Sequence, residues 1–590
     1  MKKRQLFIIL PNSIIQLIYS KAHKTLYTSL PKIIMSSDGD QVAFQNSVKP
    51  HNDPVLFNDK NYAFITDSTS NSGGFSSGQI QFDLGTLSSQ AQYVSLAESV
   101  IEIPIKITAQ LTTAGVGGSP STVANALSVI TKAGHHHWID SCQLIINGTT
   151  LQSSQVYENV AATFRILSSW SQDTLKKWGP SCGVALDDFT GDAASSLSAT
   201  AGMNNTVSSG LLSSVKGFDS IQLAGNKGAV ARSQLQNANI GATTLATNIL
   251  GAASIKISGK AHVASAGGSN AANAYLYSQY MMATIRLKDI CQAAGQMPMV
   301  KNLKGQLYLN FNSFQVNLTG TVGAATIGSV SYTPLTGRTC PFIINESASG
   351  LVMGNGTTSG PVVQVVGTVD GTNTGAVGVA APLTTNARLI APYYMANPNV
   401  DEVLSGTRQF RTLERVVNPL TVAANQSVNT TITVGVQNPR RLILLPMWQN
   451  LGGANIGSPE QSPFSTEPAT SGPFAFLNQL QAYVGNKPCY QYPISYDFEQ
   501  WLIENSAVGA NGQLVNEMTS GLLTQQLWEQ NHRFYCIDLS RRYDSEDGSS
   551  KSVQVSFTNP SPTYGLRVIA YVEYEREWTI NTATCSLSSA

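Results

Sequence analysis

Three acidic side chains, Glu573, Glu575 and Glu577, stand at alternate positions near the C-terminal end of the chain. On a strand that spacing puts them on one face. Carboxylates roughly 5–9 Å apart are the pair that a glycoside hydrolase uses as acid and nucleophile or base. A solvated strand face carries the same spacing, and Arg567, Arg576 and the Arg541-Arg542 pair offer ionic partners. The row is therefore read as a solvated strand face with ionic partners. His135-His136-His137-Trp138 is the only histidine cluster. Adjacent histidines on a strand point to opposite faces, and no nearby carboxylate or thiolate pair completes a metal set. A surface patch at a strand end, suited to a subunit contact, is expected. Gly74-Phe75-Ser76-Ser77-Gly78 has the spacing of a nucleophile elbow, which strains a serine onto a strand-to-helix turn. Here it lies in a Ser/Gly-rich loop that leads into a strand at Gln79, which is the wrong context. Asp544-Ser545-Glu546-Asp547-Gly548 lacks the full ligand pattern of a calcium loop, and Asp547-Gly548 reads as a hairpin turn.

Phosphate-binding loops, dinucleotide fingerprints, H-E-x-x-H and zinc-finger spacings do not occur. Sequons at Asn147, Asn204, Asn317, Asn355 and Asn429 arise freely in a chain rich in Ser and Thr. They matter only for a secreted protein. No catalytic, cofactor-binding or metal-binding residue is expected, and the chain is not read as an enzyme.

The elements that carry these residues are strands. Ile80, Phe82 and Leu84 alternate with polar neighbours, and so do Ile101, Ile103, Ile105 and Ile107. The same holds for Leu307, Leu309 and Phe311, for Ile432, Val434 and Val436, and for Val553, Val555 and Phe557. Each reads as a half-buried strand with its apolar side toward a core. Helical patterns are few, at Tyr157–Trp178, Tyr496–Ile503 and Val515–Gln530. Strands and helices do not alternate, which argues against a parallel sheet and for antiparallel sandwiches.

With 590 residues the chain has room for about four average domains or two large β domains. Hydrophobic residues make up 42%, enough for a sizeable core, and charged residues 12%, about half of the usual quarter. Disorder driven by net charge is thereby excluded. Lys+Arg 36 against Asp+Glu 35 leaves +1, which steers nothing toward nucleic acid, and no sequence-specific nucleic-acid binding is expected. The imbalance is local. Residues 1–34 hold Lys2, Lys3, Arg4, Lys21, Lys24 and Lys32 and no acid. Leu6–Leu10 follows the basic start as in a secretory signal, but Pro11-Asn12-Ser13 cuts the run and no small-residue cleavage site follows. Upstream translation before Met35, a basic internal arm and a signal remain open readings. Seven dispersed cysteines without a C-x-x-C pair fit neither a zinc site nor a disulfide framework, and favour a reducing compartment.

The chain also repeats itself. Cys142–Gly148 followed by Tyr157 and a helical pattern is echoed by Leu480–Asn486 followed by Tyr496 and another. Arg286-Leu-Lys-Asp289-Ile290 is echoed by Tyr535-Cys-Ile-Asp538-Leu539, the strand around Leu307 by that around Val553, and Arg388-Leu-Ile-Ala391 by Arg567-Val-Ile-Ala570. The four matches keep one order. The offset between partners shrinks where the first half holds extra chain, across 180–275 and 319–386, both rich in Gly, Ala, Ser and Thr. Two related sandwiches are expected, the first with two long loop insertions, and loops of that length are usually functional or disordered.

Ile285–Ile290, Met297-Pro298-Met299 and Leu303–Asn312 together resemble a stretch of double jelly-roll major capsid proteins, and Arg388–Pro398 looks like the end of their first jelly roll. Tyr535–Arg542 and Arg567–Glu575 look like the closing strands of the second. The type resembled is that of virophages and polinton-like viruses, among tailless double-stranded DNA viruses, over roughly residues 53–578. The resemblance implies two tandem eight-stranded antiparallel jelly-roll sandwiches. These span 53–398 and 406–578, with a junction at 399–405, an N-terminal arm at 35–52 and a C-terminal tail at 579–590. It also implies a homotrimer that forms a pseudo-hexagonal capsomer, contacts neighbouring capsomers and penton and minor capsid proteins, and tiles an icosahedral shell. Loop tips would meet the host surface, and the protein would reside in the virion after assembly inside the host cell. A secreted or surface carbohydrate-binding β-sandwich is the alternative. It would want a genuine signal and paired cysteines, which the sequence does not supply. A glycoside hydrolase on the same scaffold would rest on the Glu573 row alone.

Overall fold

The structure is a computed structural model. It describes residues 56–68, 75, 78–89, 91–111, 127–188, 228, 231–232, 257–262, 275–320, 327–346, 362–370, 386–449, 459–463, 475–508, 521–540 and 549–589. Phe57–Ala590 forms one compact unit.

Its first part begins with β1 (Phe57–Thr66), β2 (Gln79–Asp83), β3 (Gln92–Val94), β4 (Val100–Leu111) and β5 (Leu127–Thr131). The hairpin β6 (Ile139–Ile146) and β7 (Thr149–Gln152) follows, then helices α1 (Glu158–Ser169) and α2 (Gln172–Cys182). Next come β8 (Ile257–His262), β9 (Tyr275–Arg286) and the short helices α3 (Leu287–Ile290) and α4 (Gln292–Gln296). The part closes with β10 (Gly305–Phe311), β11 (Phe314–Gly320), β12 (Ile327–Pro334), β13 (Phe342–Glu346), β14 (Val362–Val369) and β15 (Arg388–Ala396). Helix α5 (Pro398–Leu404) leads into the second part. That part holds β16 (Thr407–Val422), β17 (Ser427–Val436), β18 (Pro439–Gln449), β19 (Asn478–Val484), β20 (Lys487–Pro488), α6 (Phe498–Val508) and α7 (Gln525–Gln530). It ends with β21 (Tyr535–Asp538), β22 (Lys551–Thr558), β23 (Gly565–Asn581) and β24 (Leu587–Ser589).

Sheet order defines both parts. In the second, β16-β23-β18-β21 faces β17-β22-β19-β20; in the first, β1-β15-β4 with β9 beside β4 faces β2-β10-β6-β7. If the eight strands of each sandwich are counted along the chain, both give 1-8-3-6 over 2-7-4-5. This is the jelly roll, built twice from antiparallel pairs. The two tandem sandwiches are therefore as the sequence predicts, and the repeated segments fall on equivalent strands. Asn147 and Gly148 (φ 49 and 81) turn β6 into β7, and Gly485 and Asn486 (φ 53 and 67) turn β19 into β20. Left-handed residues at both central positions are what a two-residue hairpin needs. One match is looser. Leu287–Ile290 is helical, whereas its partner Tyr535–Asp538 is extended.

The structure corrects four expectations. The insertions are more than loops: β8 lies in 180–275, and β12, β13 and β14 lie in 319–386. The cause is an unfilled edge. β15 pairs with β4 only at Val100–Glu102, so β4 from Ile105 to Leu111 presents backbone donors and acceptors that β14 takes up. Buried backbone groups must be paired, and the β-branched run Val362-Val363-Gln364-Val365-Val366 suits the task. Val434 does not share the inward face of Ile432 and Val436. The β17–β22 register shifts between Thr431 and Thr433 and again before Val436, and Val434 is 78% exposed. A bulge resets the alternation. β4 is buried on both faces, Glu102 and Lys106 included, where they pair with Arg388 and Asp370. The tail from 579 is no free arm either: β23 runs on to Asn581 and β24 folds back against it.

Candidate functional site: the junction of the two sandwiches

Each core contains side chains from the other half of the chain. Val160, Ala161, Phe164 and Leu167 of α1 belong to the core of the second sandwich, while Trp578, Ile580 and Cys585 belong to that of the first. Phe164 packs edge-on against Tyr571 of β23, with ring centroids 5.3 Å apart, and the Tyr571 hydroxyl donates to the Tyr157 carbonyl at 3.1 Å. Trp578 Nε1 donates to Thr412 Oγ1 at 2.7 Å. The α5 linker is tied back to the first sandwich by Lys301–Asp401 at 2.6 Å and by the Tyr93 hydroxyl on Asp401.

Between the cores lies a group of buried charges. Glu573 on β23 faces Arg415 on β16 and Arg441 on β18 in direct cross-strand register. Arg415 Nε donates to Glu573 Oε1 at 2.7 Å, its Nη1 donates to Glu158 Oε1 at 2.6 Å, and its Nη2 donates to Gln292. Arg441 Nε donates to Glu573 Oε2 at 2.7 Å. Glu158 and Arg165, two helical turns apart on α1, pair with each other. Burial alone would push the Glu573 carboxyl up, but Arg441 and Arg415 outweigh it and hold it below the usual carboxylate range. Burial opposes the charge on Arg415 too, and Glu158 and Glu573 raise it above the ordinary guanidinium value.

This arrangement decides the Glu573 row. Glu573 is completely buried and spent on two arginines. Glu575 is taken by Arg411 and Arg440, and Glu577, half exposed, by Arg411. The solvated face that the spacing suggests is found only at its outer end, Glu577; the row is ionic, but the partners differ: Arg567 pairs with Glu460 and Arg576 with Glu414. Arg541 and Arg542 lie outside the described residues. The real partners sit on neighbouring strands about 130–160 positions away. Arg441 directly precedes the apolar run Leu442–Leu445 of β18, a weak hint, and nothing in the mixed sequence of β16 singles out Arg415.

The histidine cluster is not a surface patch. Residues His135–Trp138 form a 3-10 turn in which His136, His137 and Trp138 are buried, so the two-faced strand argument does not apply. His136 and His137 each reach Thr163 Oγ1 of α1 through Nε2, at 2.9 and 3.0 Å. Burial pushes His136 down to about 3 and His137 well below the usual range, and both rings are neutral. Thr284 N donates to His135 Nδ1 at 3.1 Å. From the 180–275 insertion, Arg232 is buried and pairs with Asp187 at 2.6 Å. Cys142, Cys182, Cys291, Cys340, Cys489, Cys536 and Cys585 are all buried free thiols.

The Gly74–Gly78 serines, the Asp544–Gly548 segment, Asn204 and Asn355 lie outside the described residues. Asn147 is at the β6–β7 turn, Asn317 on β11 and Asn429 on β17. No helix among the described residues is long and apolar enough to cross a membrane.

No family model and no curated protein matches the chain. Among solved structures it is similar to a chain of the Sputnik virophage determined by cryo-electron microscopy, at 11% identity over 95% of this chain and 92% of that one, with a TM-score of 0.48. It is also similar to the major capsid protein of mavirus, at 9% identity over 95% and 96%, with a TM-score of 0.42. The Faustovirus major capsid protein matches at 10% identity over 96% and 97%, with a TM-score of 0.39.

Proposed function

We propose that this chain is a major capsid protein of an icosahedral virus, acting in the virion as a structural subunit that trimerises into pseudo-hexagonal capsomers. The observation that carries the reading is the double sandwich itself. One chain holds two jelly rolls of the same strand order, fixed to each other by exchanged core residues and a buried charge cluster. Three such chains around a threefold axis place six similar sandwiches in a ring, a block that tiles a shell, and closed symmetry is the default of self-assembly. A joint that flexed would blur that geometry. The carboxylates that suggested hydrolysis are paired with arginines, which supports the scaffold reading.

Neighbouring capsomers, penton and minor capsid proteins are the proposed partners, with loop tips facing the host surface and assembly inside the host cell. Light scattering after gel filtration of residues 35–590 tests the reading. A stable species of three times the monomer mass, with hexagonal outlines in negative stain, supports it. A well-behaved monomer at high concentration overturns it.

A further inference from the structure

A cavity of about 250 Å³ opens beside the buried charge cluster, walled by α1, the start of α2 and the segment from Arg286 to Gln296. One water needs roughly 10–15 Å³ of such space, so the cavity has room for a small polyatomic ion. Its wall is cationic. Arg165, 3% exposed, reaches Glu158 through Nη2 and lies 3.5 Å from the Ala161 carbonyl through Nε, and its Nη1 has no hydrogen-bond partner. Within the junction three arginines share two carboxylates, and Arg165 has to share Glu158 with Arg415. Burial and the Arg415 charge push Arg165 down to about 10, the sign of a buried cation short of counter-charge.

The opposite wall is built to match. Arg286 lies over the rings of Trp170 and Trp178, with its guanidinium carbon 5.0 and 5.5 Å from their centroids, which fixes the plane of the fork. Lys288 reaches the same space and makes no ion pair among the described residues. One carboxylate, Asp289, lines the cavity, held by Arg286 Nε at 3.5 Å and Trp170 Nε1 at 3.4 Å. Arg286 and Lys288 exceed Asp289 by one positive charge, and the cluster behind them adds one more, since three arginines there share two carboxylates, an excess of two in all. A neutral or apolar occupant would leave that excess unmatched. A cation would worsen it.

We propose that this cavity binds an oxyanion of the phosphate class, gripped by Arg286 and Lys288, with the buried charge of Arg165 behind the wall. A phosphate group carries about −1.5 to −2 at neutral pH and offers acceptor oxygens on every side, which fits both the charge and the donors. The cavity shares Ala97, Arg286 and Lys288 with a larger cleft of about 530 Å³ lined also by Tyr62 and Trp178 and by Glu98 and Glu102, whose charges are paired with Lys60 and Arg388. Free phosphate and the phosphoryl end of an ester therefore share one chemistry, with the cleft as the place for an ester's organic part.

Calorimetric titration of the full chain with inorganic phosphate, at ionic strength held constant with chloride, tests the inference. Saturable binding is expected, weakened about tenfold or more in Lys288→Ala and in Arg286→Gln. It should be unchanged in Lys177→Ala, which removes only an exposed pair with Asp173 on α2. Phenyl phosphate separates the sources. Tighter binding than inorganic phosphate assigns an ester, and equal binding assigns the free ion. Absence of saturable binding up to about 10 mM, or wild-type affinity in both Lys288→Ala and Arg286→Gln, overturns the proposal. Arg165 is left intact because its loss would disturb the buried cluster. The proposal does not rest on the capsid reading, and a monomer that binds phosphate would sink only the latter.

Discussion

The first sandwich has accepted β8, β12, β13 and β14 in its insertions, while the second keeps to eight strands with only β24 added at an edge. Their strand orders are nevertheless the same, and each completes its core with residues from the other: α1 serves the second, the end of β23 the first. The contrast separates two kinds of constraint. Strands can be added where β4 outruns β15, because an open edge has groups to pair. The junction has no such freedom, because every charge in it is buried and shared.

Residues 406–590 expressed alone lack α1, and with it Val160, Ala161, Phe164 and Leu167 of their own core. We expect no cooperative unfolding transition, a loss on the order of a domain's whole 5–15 kcal/mol. A sharp denaturant transition with near-ultraviolet dichroism would break the claim that the cores are interdependent. Within the intact chain, Arg415→Met removes the residue that joins Glu158 to Glu573. It should cost about 3–5 kcal/mol in urea denaturation, and a loss below about 1 kcal/mol would relocate the joint to the apolar contacts.

Acid offers a gentler probe of the first sandwich. His136 is held near 3 in the folded protein, against about 6.5 unfolded, so the unfolded chain takes up the extra proton. Stability contributed by its neutral ring is full above the unfolded value and is lost as pH falls toward the folded one. Between pH 7 and 5 the loss is about 2 kcal/mol for His136, and the pH dependence of Tm should flatten in His136→Asn. Glu573 acts lower on the scale. Its depressed carboxyl contributes above the ordinary carboxylate range and loses that contribution as pH falls through its folded value. The smallest effect belongs to the outer end of the glutamate row. Glu577→Gln touches a half-exposed pair with Arg411 and should change stability by less than about 1 kcal/mol, whereas Glu573→Gln should approach the cost of Arg415→Met. Equal effects at the two positions would contradict the gradient from buried to exposed along that strand.

Much of the scaffold was legible in advance. Alternation at Ile80–Phe82, Leu307–Phe311 and Val553–Phe557 marked strands that the structure contains, though Leu84 already opens a 3-10 turn, and Asn147-Gly148 and Gly485-Asn486 marked the hairpins. Order among the repeats pointed to two sandwiches. The misses have particular causes. A bulge turned Val434 outward, a 3-10 turn drew His136 and His137 inside, and an open strand edge recruited β14 from a stretch read as loop.

Periodicity belongs to the chain itself, because a strand's two faces follow from its backbone geometry, and so the amino-acid order alone determined the alternating core strands, the two hairpin turns and their repetition. Which charge meets which depends on strands and helices brought together from distant parts of the chain. Glu158, Arg165, Arg415, Arg441 and Glu573 are separate polar residues until β16, β23 and β18 pair and α1 meets β16 and β23. Only the tertiary structure decided that they form one buried cluster, with a cationic cavity at its side, since burial is what makes each of those charges depend on the others.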